Sequence, residues 1–316
     1  MNDFESTPQK PEQNLFPASG QALPQDAPNH EEPTELFQSW SQPAAVSPAR
    51  IPHLGHLALL SAFLLFGFVC MSALMFIAMY FHWDGVTNPD QIKNNVHYLL
   101  GSEAVLYLVT LALCIPIFPL LWNKSFFAGI HWRGDTALQL GWRLPAIALG
   151  CFVLAIIDDK LLPGPKHAPI EEFFRSPGAA WLMFGFGITL APFFEEIVFR
   201  GFMLPALATS WDWIIEKITG KPARPLDADG HPQWSIPAMV IASIVTSLPF
   251  ALMHGEQTGY SLGPFLQVFA VSLVLCAVRL VTRSLAASTL VHACYNFLLF
   301  STMLIGTGGF RHFDKM

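Results

Sequence analysis

Six long windows of this chain contain no Asp, Glu, Lys or Arg: Leu54 to Phe81, Ala104 to Asn123, Ser176 to Phe194, Gly230 to Gly255, Gln257 to Val278 and Ser284 to Phe310. A helix needs roughly 20 mostly apolar residues to cross a bilayer, and each window is near or beyond that length. A seventh, Ala137 to Ile157, holds one charge, Arg143, close enough to its end to snorkel. Only 13% of the 316 residues are charged, against about 25% in a soluble domain. No soluble fold needs so many long apolar runs. The expected fold is therefore all-α, a polytopic transmembrane helical bundle of 7–8 spans and a multi-pass integral membrane protein. Spans are predicted near 54–81, 99–122, 138–157, 179–200, 236–255, 263–281 and 284–305. Residues 201–216 are apolar enough to lie in the interface or to form a short eighth span, and Trp211 and Trp213 suit a headgroup-level belt.

Residues 1–50 read differently. They hold seven acids, two bases and eight prolines, a composition that cannot bury a core and is expected to be disordered. The stretch lacks the basic segment and short apolar run of a signal peptide, so the first span is expected to be an uncleaved anchor. Two domains follow: an acidic, proline-rich tail over 1–50 and a transmembrane domain over 51–310. Asp84-Gly85 and Asn88-Pro89 end the first span, Pro163-Gly164-Pro165 follows the third, and 217–233 is the longest polar loop after the tail. The five cysteines, Cys70, Cys114, Cys151, Cys276 and Cys294, all fall in apolar spans and read as small buried hydrophobes.

Polar groups inside lipid cost roughly 2.5–3.5 kcal/mol or more at mid-span, so those that persist carry information. Glu195 and Glu196 follow 19 uncharged residues. Glu196 and Arg200 are four apart, share a helix face and can pair. Glu195 points about 100° away and is free for another task. Two carboxylates in different surroundings are what acid/base chemistry uses; a helix end meeting water would also explain them. A second cluster is Phe250-Ala-Leu-Met-His254. The third is His292-Ala-Cys-Tyr-Asn296, whose His and Asn share one face and carry donors able to polarise a carbonyl or bind water. Either histidine alone reads as a packed, hydrogen-bonded residue. Three such clusters in one chain are harder to dismiss.

Together the clusters resemble the CPBP family of intramembrane proteases, named for CAAX proteases and bacteriocin-processing enzymes. That family's pattern is Glu-Glu-x-x-x-Arg, then Phe-x-x-x-His, then His-x-x-x-Asn or Asp, and here it reads Glu195-Glu196-Ile-Val-Phe-Arg200, Phe250 to His254 and His292 to Asn296. Order, spacing and placement on apolar helices agree over about 175–305, the expected protease core. The resemblance implies an endopeptidase in which Glu195 and His254 activate water, with Glu195 as general base. It implies His292 and Asn296 as stabilisers of the oxyanion, and Glu196 paired with Arg200 to hold the geometry. The family is often described as metalloproteases. If a divalent metal such as zinc is used, Glu195, His254 and His292 could supply three ligands with an open fourth position; a metal-free, glutamate-activated water is the alternative. The implied partners are the lipid bilayer and a membrane-associated protein or peptide substrate, with no nucleic acid.

Two other functions fit intramembrane acids and histidines: a proton-coupled transporter, for which Glu103 would be a further acid, and a non-catalytic membrane scaffold. One geometric conflict is also visible. In a plain seven-span count Glu195 lies near one membrane face and His254 near the other. Either 201–216 make an extra crossing, or Pro192 and Pro249 break their helices; kinks are expected at both prolines.

Overall fold

A computed structural model describes residues 50–93, 95–162, 177–227 and 230–310. The tail expected over 1–50 lies outside the described residues, Arg50 excepted, as do Pro163-Gly164-Pro165. Among the described residues the chain is helical, with one isolated β-bridge between Leu226 and Pro232. The main helices are α1 (Leu54–Tyr80), α2 (Val96–Trp122), α3 (Gly134–Leu140), α4 (Arg143–Leu161), α5 (Pro177–Ile188), α6 (Leu190–Glu196), α7 (Leu204–Thr219), α8 (Ile236–Met253), α9 (Leu262–Thr282) and α10 (Leu285–Gly306).

Among the described residues six helical units are long and apolar enough to cross a membrane, and the bent pair α3–α4, with 76° between its halves, makes a seventh if the pair is one span. The chain is thus a multi-pass integral membrane protein. Its outer surface fits that solvent: Leu65, Phe76 and Leu120 are 64%, 64% and 83% exposed, which lipid tolerates and water would not. The cysteines are all free, with Cys114, Cys151 and Cys276 buried.

The unit that decides the topology is the longest. Gly178–Thr219 is one helical stretch of 42 residues, roughly 60 Å at 1.5 Å per residue and about twice the hydrocarbon thickness. Residues 201–216 are therefore not an eighth span. They prolong the fourth crossing in the same direction as the amphipathic helix α7, whose Glu216 binds Arg50 at 2.8 Å. α8 then returns alongside α7. Its first turn is fixed by Asp212, which accepts from Ser235 N at 2.8 Å and Ser235 Oγ at 2.5 Å, while Ser235 Oγ itself caps Ala238 N at 3.2 Å. Trp234 Nε1 donates to Thr209 Oγ1 at 3.0 Å, and deeper down Phe199 meets Phe250 edge to face at 5.1 Å. Contacts that run 212 to 235, 209 to 234 and 199 to 250 define an antiparallel pair.

That pairing removes the depth conflict without the expected kinks. Glu195 lies one turn before Phe199 and His254 one turn after Phe250, and in an antiparallel pair those two steps go the same way. Helix α8 runs unbroken through Pro249. The break near Pro192 falls instead at Thr189, whose φ of −123° and ψ of −82° leave the helical region. Pro192 then sits in the first turn of α6, where its missing N–H costs nothing.

Two apolar cores flank this unit. On one side Phe63 of α1 and Phe118 and Trp122 of α2 pack with Phe194, Ile197 and Phe202. On the other, Ala148 and Cys151 of α4 pack with Leu275 of α9 and Val291 and Tyr295 of α10. The site lies between them.

Candidate active site

Between α6 and α7 the chain widens into a π-helix, Ile197–Met203. Such segments recur at functional sites because they redirect side chains from the regular helical face. Arg200 lies within it. Its Nη1 donates to Glu196 Oε1 at 2.9 Å, and its Nη2 reaches across to α9, to Ser272 Oγ at 2.6 Å and Ser272 O at 3.0 Å. The Phe250 ring covers the guanidinium at 4.4 Å. The side chains of Glu196 and Arg200 are both 0% exposed. This is a sealed ion pair, so the helix-end-in-water explanation fails for these two residues.

His292 of α10 stands between the two glutamates. Nδ1 is 3.1 Å from Glu196 Oε1, and Nε2 is 3.7 Å from Glu195 Oε2. With Nδ1 donating to Glu196, Nε2 is the nitrogen left facing Glu195. Glu195, unlike Glu196, keeps some accessibility, its side chain 12% exposed. One carboxylate is thus sealed in an ion pair, and its neighbour is not.

The second motif explains its own phenylalanine. Phe250 touches Phe199, Arg200, His254 at 4.8 Å and His292 edge-on at 5.7 Å between ring centroids. It is the spacer that sets α8 against all three other elements. His254 Nδ1 lies 2.8 Å from the Phe250 carbonyl. A carbonyl only accepts, so Nδ1 carries the proton and, in the neutral ring, Nε2 offers its lone pair. His254 forms no hydrogen bond or ion pair with Glu195. Asn296 donates from Nδ2 to the Gly187 carbonyl at 2.8 Å, tying α10 to the turn just before the Thr189 break. Close approach there needs glycine: a Cβ on Gly187 would stand 2.5 Å from the Phe300 ring.

The structure therefore gathers Glu195, Glu196, Arg200 and His292 in direct contact. It brings His254 to the same depth through Phe250 and anchors Asn296 one turn beyond His292. Among the described residues no three His, Cys, Asp or Glu side chains converge as a metal site would require. Glu195 and His292 could share an ion; His254 is not assembled with them as a third ligand. Sequence reasoning missed Ser272, since a serine on an apolar helix gives no signal of its task. It noticed Glu103, which lies on α2, only as a spare acid.

Residues 177–298 match the family described as type II CAAX prenyl endopeptidase Rce1-like. This stretch, under half of the chain, is similar to that family. All six motif residues fall inside the matched Rce1-like stretch, and α1 to α4 lie outside it. No curated protein and no solved structure matches the chain. The Rce1-like family is a peptidase family, so the chain is a hydrolase acting on peptide bonds and, in general terms, an intramembrane protease of CAAX type.

A second buried polar cluster lies away from these residues. Arg279, which falls inside the span predicted near 263–281, is 2% exposed within α9. Its Nη2 is 3.4 Å from His131 Nδ1, and the His131 ring stacks on His231 with centroids 3.6 Å apart. Burial first, and Arg279 next, push His131 from 6.5 down to about 2 and His231 down to about 4. The unfolded chain therefore binds more protons than the folded one below pH about 6.5, and stability should fall as pH drops from 6.5 towards 4. Thermal melts of the detergent-solubilised protein across that range should show the decline. A His131→Phe/His231→Phe variant should show a flatter one; an equal slope in both would remove these histidines as its source.

Proposed function

We propose that the chain cleaves a peptide bond of a membrane-associated protein or peptide with a water molecule activated by Glu195 and His254. Glu195 acts as general base. It removes a proton from water lying between it and His254 Nε2, and the resulting hydroxide adds to the scissile carbonyl carbon. His292, as the imidazolium with a proton on Nε2 as well as Nδ1, and the second Nδ2–H of Asn296 stabilise the oxyanion. Glu196 and Arg200 act through geometry: fixed to each other, to Ser272 and to His292, they hold Glu195 and the imidazole in register.

The observation that carries this reading is the unequal fate of two adjacent glutamates. Glu196 is locked in a buried pair, while Glu195 is left beside a histidine with residual access. The Rce1-like match supports peptidase chemistry at the same residues. Within that chemistry we assign CAAX-type prenylated proteins as the substrate class, following the family description. The test is hydrolysis of a farnesylated CAAX peptide by the full chain in liposomes, followed by mass spectrometry. Cleavage that disappears in Glu195→Gln supports the reading. Proton-coupled flux lost in the same variant, without any cleavage by wild type, would favour a transporter.

A further inference from the structure

A cavity of about 480 Å³ lies where the last turns of α7 face the start of α8. That is within the size range of small-molecule sites, and the peptidase reading leaves it unused. Its depth in the bilayer follows from length. The 42-residue unit ending at Thr219 is about twice the hydrocarbon thickness, and its last eight residues include Asp212, Glu216 and Lys217. These turns therefore leave the hydrocarbon and run at the level of the lipid headgroups. Trp211 and Ile215 give the cavity an apolar wall, and an aromatic ring there suits the interface. That wall continues outward. Ile218, one turn past Ile215, and Ile236, between the lining residues Ser235 and Pro237, are both exposed.

The charges of the lining decide what fits. Its two acids are already occupied. Asp212 accepts from Ser235 N and Ser235 Oγ, and Glu216 accepts from Arg50 Nη2 at 2.8 Å and from Arg224 N at 2.8 Å. Its two cations are not. Arg224 Nε stands 3.7 Å from Asp212, beyond hydrogen-bond length, with a half-exposed side chain. Among the described residues Lys221 makes no ion pair. A half-open space with spent acids, two available cations and an apolar wall at headgroup depth matches a phosphate that carries hydrocarbon. We propose that this cavity binds the phosphate of an anionic phospholipid between Lys221 and Arg224, with the acyl chains lying against Ile218 and Ile236. Asp212 and Ser235, whose hydrogen bonds set the register of α8 on α7, form part of the same wall. A lipid held there stabilises the pairing that brings His254 to the depth of Glu195, by mass action on the folded state. The site stands independently of the peptidase reading.

The experiment measures binding of dihexanoyl phosphatidylglycerol to the full chain in detergent, by thermal melting and native mass spectrometry. Dihexanoyl phosphatidylcholine and inorganic phosphate are the comparison probes. The expected result is that phosphatidylglycerol is retained and raises the melting temperature, and that neither other probe matches it. Lys221→Gln/Arg224→Gln should weaken that binding about 30-fold. Lys217→Gln, on the same helix but outside the cavity lining, should leave it nearly unchanged. An equal loss in Lys217→Gln would mean diffuse attraction to a charged surface and would overturn the site. Equal binding of phosphatidylcholine overturns the role of headgroup charge, and equal binding of inorganic phosphate overturns a lipid as the ligand. Wild type that retains none of the three overturns the proposal outright. If the double variant does not fold, Lys221→Gln alone decides: a loss of about 5-fold supports the site, and unchanged binding overturns it.

Discussion

Arg200→Ala should abolish hydrolysis and destabilise the purified chain by about 3–5 kcal/mol, the usual cost of removing one partner from a buried ion pair. The size follows from what is left behind. Glu196 is 0% exposed and its Oε2 already lacks a hydrogen-bond partner, so without Arg200 it would be a buried charge left to His292 and Ser288. Ser272 on α9 would lose its link to the π-helix at the same time. Arg200→Lys should rescue little, because one ammonium cannot reach Glu196 and Ser272 in the fork geometry that two guanidinium nitrogens provide. Thermal melting with residual activity checks this. A stable, active Arg200→Ala would mean that the pair does not hold the site.

His254→Ala should separate what Arg200→Ala joins. The hydrogen bond of His254 goes to Phe250 in its own helix, and the residue sits at the C-terminal cap of α8. Its removal should shift the melting temperature little. The rate should nevertheless fall by about 100- to 10,000-fold, the range for a lost acid–base group. Equal losses of stability and activity, or neither, would return His254 to the status of a packed core histidine.

Much of this site was legible in the sequence because membrane burial makes polar residues conspicuous. The pairing of Glu196 with Arg200 follows from their spacing, although it is realised across the start of a π-helix rather than in a plain α-helix. The opposite roles of Glu195 and Glu196 follow from the roughly 100° between neighbouring residues. Depth was the failure. Counting spans by charge ended the fourth crossing at Arg200, where a charge normally meets water. Here the arginine is neutralised internally and the helix continues to Thr219, so α8 starts lower and brings His254 to the depth of Glu195. The Asp212 to Ser235 junction that sets this register joins a polar residue of the ambiguous stretch 201–216 to one just outside the span predicted near 236–255, and nothing local marks them as partners.

The most direct measurement is a comparison of peptide termini in membranes carrying the wild-type chain or Glu195→Ala at equal abundance. The expected result is a set of new termini in membrane-associated proteins that vanish in the variant while its fold persists. Identical termini in both membranes, with both proteins folded, would contradict hydrolysis by Glu195.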